Sequence, residues 1–401
     1  MIPYLIIVVI VISGAIYYYL KIKPLSDENI RDLYLEGLDL LISGHRKKAY
    51  QYFKKIIDQD TDNIKAYIKM GQIIRESKNP RQALKIHHSI SMRKDISNYE
   101  KIELHKNISL DYYELGDLVH AIDECLFIMK IDKNNDWAIS QLIKYFIQGE
   151  RWEEASRYLI KYNKIKKNNS THKLALFKAQ QGLQMIRNKQ FEDGRHAYEE
   201  ALNIYSELSV VYYFIGNSYS VESEIYYKKA NAPDIEVNSK EYKNNMEKAR
   251  KLLAKSIPMW IRYSAEKPEQ SWLVIHLLKD ALFVLNRFDE FEMILKNILE
   301  SDPENLEVLA SLADIHNQRN EASEALDLME GLDSSDSTSL LVKLIKVKLQ
   351  TRKESGDSAY IIKQLDDIIH GLATDEQFQK NNKANMDKDL SWIYENSKEN
   401  L

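Results

Sequence analysis

A spacing of 34 residues recurs along this chain of 401 residues. It separates five pairs of residues at matching places: Gly37 and Gly71, Ala49 and Ala83, Ala121 and Ala155, Gly182 and Gly216, and Phe291 and Ala325. Within a unit, a small residue is followed twelve positions later by another and four positions after that by a large one, as in "GLDLLISGHRKKAYQYF". This period predicts stacked repeats, because one unit is too small to bury its own apolar face.

Both halves of each unit favour helix, since the chain contains only 12 glycines and 7 prolines. The repeated residues resemble the tetratricopeptide repeat, a helix–turn–helix with small residues where its two helices touch. The resemblance implies an all-α superhelical solenoid over residues 30–371, with eight or nine helix pairs and a concave surface that holds a partner. We expect the units at 30–63, 64–97, 102–135, 136–169, 175–208, 209–262, 272–305 and 306–338, with a degenerate final pair at 339–371.

The unit at 209–262 is longer than the others. Its surplus, "VESEIYYKKANAPDIEVNSKEYKNN" at 221–245, is polar and contains Pro233. These features predict a solvent-exposed loop between the two helices of this unit.

Gly71 lies where the pattern requires a helix, although glycine there costs about 1 kcal/mol against alanine. We expect close packing between the two helices of its unit to offset that cost. His87 holds the large-residue place, equivalent to Phe53 and Tyr198, so we interpret it as a packing residue and not as a catalytic base. The adjacent His88 points elsewhere, which argues against a two-histidine metal site.

The uncharged run from residue 2 to residue 20 is just long enough to cross a bilayer as a helix. Lys21 and Lys23 follow at once, which places the C-terminal side in the cytoplasm. We therefore predict a single transmembrane anchor at 1–23, a linker at 24–29, and the bulk of the chain in the cytoplasm.

A cleaved signal peptide is the alternative for this segment. Ser13, Gly14 and Ala15 offer small residues after a short apolar stretch. No Lys or Arg precedes the apolar run, and the run continues past the supposed cleavage site, which favours retention of the segment.

Charge and motif content argue against nucleic-acid binding and catalysis. The formal net charge is -4, so there is no basic field to hold nucleic acid. Cys125 is the only cysteine; it lies on an apolar helix stripe, is expected to be buried, and excludes a Cys-rich metal site within one chain. The sequence contains no Gly-x-Ser-x-Gly elbow, Gly-rich phosphate loop or His-Glu-x-x-His helix. We expect no enzyme activity, no cofactor and no small-molecule substrate.

The repeat geometry predicts a partner groove lined by aromatic, aliphatic and amide groups, which suits an extended or helical protein segment. The predicted groove residues are Tyr34, Leu38, Ile68, Gln72, Arg75, Tyr213 and Asn217. Repeats that clamp a free C-terminus carry Lys and Asn at set places on the first helix. Here Asn217 holds one such place, but Tyr213 replaces the Lys, so a free C-terminus is not the expected ligand.

The N-terminal apolar run followed by these repeats is similar to the lipopolysaccharide assembly protein B family. The most specific stretches are "GQIIRESKNPRQALKIHHSI", "LDYYELGDLVHAIDECL" and "ARKLLAKSI". The resemblance implies an adaptor of the bacterial inner membrane that faces the cytoplasm. Such adaptors bind the deacetylase that commits carbon to lipid A and promote its destruction by a membrane-bound AAA+ protease.

Members of this family end in a rubredoxin-like metal knuckle with two cysteine pairs. The tail of this chain, 372–401, keeps an aromatic, a leucine and a tryptophan at matching intervals: Phe378, Leu390 and Trp392. The four cysteine places hold Lys380, Lys383, Tyr394 and Ser397. Without thiolates the knuckle cannot hold a metal, so we interpret the tail as a metal-free relic, with a chance match as the alternative. Trp392 is expected to lie against the last repeats.

The leading functional hypothesis is therefore a non-enzymatic scaffold that holds a client protein beside membrane machinery. A protein that faces the periplasm and organises a cell-envelope complex is the alternative, and it requires the opposite topology. An enzyme ranks third.

Overall fold

The chain is helical throughout the part that the computed structural model describes. The described residues are 11–13, 27–93, 96–233, 235–237, 239–319, 321–330, 343–345, 347–348, 351, 359–374 and 386–397. Between the helices these ranges contain only turns and short connections. The all-α prediction is confirmed. The chain divides into two compact units, Met1–Asn168 and Asn169–Leu401.

The first unit contains four consecutive helix pairs, which match the predicted repeats. Its helices are α1 (Asp27–Ile42), α2 (Arg46–Gln59), α3 (Ile64–Glu76), α4 (Pro80–Ser91), α5 (Asn98–Glu114), α6 (Leu118–Ile131), α7 (Asp136–Gln148) and α8 (Trp152–Lys166). The first helix of each pair is called helix A and the second helix B. Each pair packs on the next, as a tetratricopeptide-like array requires.

The second unit continues the same pattern of pairs and then adds a separate C-terminal helix. Its helices are α9 (Thr171–Arg187), α10 (Phe191–Ile204), α11 (Val210–Ala230), α12 (Lys240–Glu266), α13 (Trp272–Val284), α14 (Phe288–Ser301), α15 (Leu306–Gln318), α16 (Ala322–Glu330), α17 (Ala359–Thr374) and α18 (Lys388–Glu395). Helical residues at 343–345 and 347–348 precede α17. They fall in the predicted degenerate pair at 339–371.

Glycines of helix A lie against rings of helix B, as the period predicts. A Cβ added at Gly71 would lie 2.3 Å from His87 Nε2. The equivalent pairs are Gly37 with Phe53, Gly182 with Tyr198, and Gly216 with Trp260. The alanines predicted at the contact are buried as well: Ala49, Ala83, Ala121, Ala155 and Ala325. At Gly71, Gly182 and Gly216 an added Cβ would lie within 3.0 Å of a ring atom, so a side chain there would occupy the space of the ring.

The A–B turns share one hydrogen-bonding scheme. In the turn from α3 to α4, Lys78 N–H donates to the Arg75 carbonyl and Asn79 N–H donates to the Ile74 carbonyl, which is the Schellman closure of a helix. The residue at the centre has a positive φ in six of the turns: Gly44, Lys78, Gly116, Glu150, Lys189 and Asn286. The residue that follows is the N-cap of helix B, so three residues connect the two helices in each of these hairpins.

The prediction of a loop at 221–245 is wrong over most of its length. The surplus lengthens the two helices to 21 residues in α11 and 27 residues in α12, and only 231–239 connects them. Ser223 and Ala230 are buried, and the Ser223 hydroxyl donates to the Ala249 carbonyl at 2.7 Å. These contacts continue the helix–helix interface, so the polar residues around them cover its outer side.

Among the described residues, no helix has both the length and the apolar content needed to cross a membrane. The predicted anchor at 2–20 lies outside the described residues except for 11–13.

Candidate functional site: the helix-A face

Three of the seven predicted groove residues are buried in the protein. Ile68 belongs to a cluster of buried aliphatic residues of α3, α4 and α5, and Arg75 is paired with Asp111. In the second unit, Tyr213 is buried and its ring lies 5.8 Å from that of Tyr263. A partner cannot contact these side chains in this conformation, so the groove prediction is corrected at these three positions.

The other four predicted groove residues are partly exposed. Tyr34 packs edge-on against Phe53 at 5.5 Å between ring centroids, and Leu38 joins the same apolar cluster. Gln72 accepts a hydrogen bond from Lys69 and donates one to Glu76. Together, Tyr34, Leu38 and Gln72 present an aromatic ring, an aliphatic group and an amide at the helix-A surface of the first unit.

Asn217 has a structural role in addition to its position on helix A. Its side-chain oxygen accepts a hydrogen bond of 3.0 Å from Trp260 Nε1, and the same indole covers Gly216. Asn217 therefore orients the ring that closes the longest hairpin.

Burial raises the pKa of the Tyr34 hydroxyl, and the nearby groups of Tyr99 and Glu103 raise it further. Tyr99 and Glu103 both lie on α5, whereas Tyr34 lies on α1.

A buried ion-pair network connects the second and third repeats. Asp111 lies on α5 with one oxygen 2.9 Å from Arg75 Nη1 and the other 2.5 Å from His87 Nδ1. Arg75 also donates to the side-chain oxygen of Asn107. Because a single carboxylate faces two basic groups from two helices, this network fixes the register between the repeats.

The structure confirms His87 as a packing residue. Its side chain and that of Asp111 are both 0 % exposed, and its second ring nitrogen lies 3.2 Å from the Ile68 carbonyl oxygen. A His–Asp pair with this geometry resembles part of a catalytic triad, but no substrate reaches a pair enclosed on every side. Its role is structural.

Sequence reasoning missed Asp111. The available signal was an ionisable residue of α5 at helical spacing from the buried residues Leu104 and Ile108. A carboxylate at such a place requires a partner, and the fold supplies Arg75 and His87.

A second network joins the later repeats. Lys348 is buried and contacts Asp314 at 2.5 Å and Asp366 at 2.6 Å. Lys279 lies 3.5 Å from the other oxygen of Asp314. The spacing from Asp314 to Lys348 is 34 residues, so the repeat period itself brings these opposite charges onto neighbouring helices.

His276 lies on α13, close to this second network. Burial, together with the charges of Lys279 and His370, lowers the pKa of the His276 imidazole to about 4. Its ring is therefore neutral at physiological pH.

The described residues contain no grouping of His, Cys, Asp and Glu that is able to hold a metal ion. Cys125 is fully buried, as predicted, and burial raises the pKa of its thiol to about 12. It is therefore a packing residue, because the thiolate is the reactive form.

The C-terminal helix α18 occupies the helix-A face of the second unit. Leu390 and Ile393 are 0 % exposed and belong to the main apolar cluster of this unit. Trp392 stacks on Phe177 of α9 at 5.8 Å between ring centroids, and Tyr394 meets the edge of Phe214 of α11.

Polar contacts hold both ends of α18. At its N-terminal end, the Asp387 carboxylate accepts from the Asp389 and Leu390 N–H groups and contacts Lys267 at 3.1 Å. Asp389 pairs with His172 at 2.8 Å. At the other end, Gln180 Nε2 donates to the Ile393 carbonyl at 2.5 Å. We call the surface of α9, α11 and the end of α12 that makes these contacts the α18 site.

The tail prediction needs correction in two respects. Trp392 lies against the fifth repeat and not against the last ones, because α18 returns to α9. The predicted boundary at 371 also falls inside α17, which extends to Thr374. The rest of the described tail contains α18, with Tyr394 and Ser397 near its end. Phe378, Lys380 and Lys383 lie outside the described residues.

No protein-family model matches this chain. It is similar to lipopolysaccharide assembly protein B of Escherichia coli strain K12 and of Escherichia coli O157:H7, with 22 % identity over 153 residues in each case. These residues are 38 % of this chain, and the match spans only 39 % of the length of the curated relatives.

Several solved structures show a partial similarity to this chain. They include the C-terminal part of a TPR repeat-containing protein from Cytophaga hutchinsonii, with 15 % identity, a TM-score of 0.34, and coverage of 69 % of this chain and 97 % of that one. A TPR repeats protein from Bacteroides fragilis has 13 % identity, a TM-score of 0.30, and coverage of 64 % and 98 %. The human IFIT1 dimer with m7Gppp-AAAA has 12 % identity, a TM-score of 0.32, and coverage of 93 % and 95 %.

Proposed function

We propose that this protein is a membrane-anchored adaptor of the bacterial inner membrane. The anchor at 2–20 holds the repeats at the cytoplasmic face, and the repeats bind client proteins without catalysing a reaction. The clients are the lipid A deacetylase and a membrane AAA+ protease, and the adaptor regulates lipopolysaccharide synthesis by presenting the first to the second. A tethered adaptor acts by raising the local concentration of its client.

The observation that carries the proposal is the contact between α18 and the helix-A face. This surface binds a helical protein segment through buried aliphatic groups, a stacked indole and charged ends. Helix-in-groove recognition uses the same combination of contacts. The corresponding face of the first unit presents Tyr34, Leu38 and Gln72, and we assign client binding to that face.

The placement of the ionisable groups supports a role without catalysis. His87 and Asp111 are enclosed, and Cys125 is buried with a raised pKa. Lys348 and Asp314 neutralise each other within the core of the second unit. These groups stabilise the contacts between repeats.

The choice of clients rests on the family resemblance. The partial similarity to lipopolysaccharide assembly protein B supports it, over less than two fifths of either chain. Lys21 and Lys23 after the apolar run support the cytoplasmic orientation.

Co-purification tests the clients. The tagged full-length chain is extracted from membranes in mild detergent, and the recovered proteins are identified by mass spectrometry. We expect the deacetylase and the AAA+ protease, with at least tenfold less of both for Leu38→Ser. Lys54→Ala, an exposed substitution on α2, is the matched control and retains both. Recovery of a different abundant partner in place of these two would refute the assignment of clients.

The half-life of the deacetylase tests the mechanism in cells. Removal of the adaptor is expected to lengthen this half-life several-fold, since the protease then lacks its presenter. An unchanged half-life contradicts the adaptor role. Protease added to the periplasmic side of intact spheroplasts is expected to leave the repeats uncut, whereas cleavage from that side would support the protein that faces the periplasm.

A further inference from the structure

The α18 site has the properties of a receptor for an exchangeable helix. Of the eight residues of α18, only Leu390 and Ile393 are buried, and the ion pair between His172 and Asp389 is partly exposed. A helix of this length is not stable by itself in water. Its helical form therefore depends on the surface that it covers.

The site also selects a particular kind of helix. Lys267 and His172 lie at the end of the site that holds the N-terminus of α18, where they face Asp387 and Asp389. Acidic groups at a helix N-terminus also favour the helix dipole. Further along, the site encloses two aliphatic side chains three residues apart, Leu390 and Ile393. The ring of Phe177 stacks on the indole of Trp392.

Gln180 completes this recognition at the C-terminal end. Its amide donates to the carbonyl of Ile393, which also accepts from the Ser397 hydroxyl; carbonyls of the last helical turn need such partners from outside the helix ladder. The site therefore reads both the side-chain pattern and the end of the helix, and it fits short segments better than long ones.

We infer that the α18 site is a second docking surface, which binds a short amphipathic helix of a partner protein. The partner helix has an acidic N-terminal end followed by a Leu-x-Trp-Ile pattern, and α18 competes with it for the site. A partner helix binds only when it displaces α18. The inference rests on the proposed protein-binding role but not on the identity of any client.

Covalent linkage gives α18 an advantage in this competition. Because α18 belongs to the same chain as its receptor, it competes at an effective concentration on the order of a millimolar. For a peptide with a dissociation constant of about 10 µM, such a competitor weakens apparent binding by about 100-fold. Because α18 is part of the chain, only a partner helix that matches the site well displaces it.

A labelled peptide provides the test. The probe is a fluorescein-labelled peptide with the sequence of residues 386–397, "MDKDLSWIYENS", added to the full-length chain in detergent, and binding is read by fluorescence anisotropy. Leu390→Asp loosens α18 and is expected to tighten peptide binding by about 100-fold over the wild type. Lys388→Ala, which changes an exposed residue of α18, is the matched control and is expected to bind like the wild type.

A receptor substitution identifies the surface. Adding Phe177→Ala to the Leu390→Asp chain is expected to return peptide binding to the weak level of the wild type, because the indole loses its stacking partner. Hydrogen exchange of the wild-type chain gives a second readout: excess unlabelled peptide is expected to speed exchange of the α18 amides and of no other helix.

Three results would overturn the inference. The first is a Leu390→Asp chain that retains its helix content but binds the peptide no better than the wild type. The second is a loss of helix content both in Leu390→Asp and in the milder Asp389→Lys, which would make α18 a fixed part of the core. The third is a dimer that forms in Leu390→Asp and binds no peptide, which would make a second copy the occupant. None of these measurements involves the deacetylase or the protease, so failure of the proposed clients and failure of this inference are distinguishable.

Discussion

Replacing Gly71 with alanine is expected to destabilise the second repeat, although the same exchange stabilises an ordinary helix. At an open helical position, Gly→Ala gains about 1 kcal/mol in the free energy of unfolding. Here the new methyl group would lie 2.3 Å from His87 Nε2. His87 cannot retreat without losing Asp111 at 2.5 Å.

The magnitude follows from three contributions. Overpacking of a filled core costs about 1–3 kcal/mol, and loss of a hydrogen bond to a charged group costs about 1.5–3 kcal/mol. The gain in helix propensity offsets about 1 kcal/mol of this. The expected net effect is a loss of about 3 kcal/mol, confined at first to α3 and α4 because each repeat contacts only its neighbours.

Hydrogen exchange with mass spectrometry on the full-length chain measures this loss helix by helix. The matched control is Gly37→Ala, where the new Cβ would lie 3.0 Å from Phe53 Cζ. A shift of a few tenths of an ångström relieves that contact, so the penalty and the propensity gain nearly cancel. Protection of α3 and α4 that rises in Gly71→Ala would refute the reasoning, since propensity alone would then decide the outcome.

Three further predictions concern groups that burial controls. Asp111→Asn leaves two basic groups without their carboxylate and is expected to lower the free energy of unfolding in urea by about 3–5 kcal/mol. Glu224→Gln removes an exposed ion pair and should leave the urea midpoint unchanged. Equal effects of the two substitutions would contradict a buried network. Cys125 is expected to resist iodoacetamide at pH 8 in the folded chain, where a pKa of about 12 leaves about one thiolate in ten thousand, and to react at once in urea; fast labelling of the folded chain would show that the thiol is accessible. The folded-state pKa of His276 is about 4, below its unfolded value of 6.5, so the unfolded chain binds more protons between these values. Stability is therefore full above pH 6.5 and is lost as the pH falls, by about 2 kcal/mol from pH 7.5 to pH 5. This loss should be absent in His276→Gln, and a wild type whose stability does not change with pH would argue against a neutral imidazole.

The helix pairs were predictable because their signal is local and periodic. The contact of Gly71 with His87 spans 16 residues and recurs at Gly37 with Phe53, so one pattern predicts both the helices and their close approach. The longest hairpin breaks this rule, since Gly216 and Trp260 are 44 residues apart. The extra residues of this hairpin are mostly polar because they lie on the exposed faces of α11 and α12. Polar residues of this kind predict a loop when the few buried positions among them are overlooked.

The contacts of α18 were beyond such reasoning. His172 and Asp389 are separated by 217 residues, and nothing in either segment names the other. The ion pair of Asp111 with His87 lies between these extremes: the isolated carboxylate on an apolar stripe indicates that a partner exists, but the fold decides which one.

The three-residue turns between helices A and B have a mechanical consequence. Lys78, Glu150 and Lys189 adopt the left-handed conformation at their turns, which costs a residue with a side chain about 1 kcal/mol that glycine avoids. The turns at Gly44 and Gly116 do not have this conformational cost. When the molecule is pulled from its two ends, its hairpins should not rupture with equal ease, and those bent at the lysines and the glutamate should tear open first.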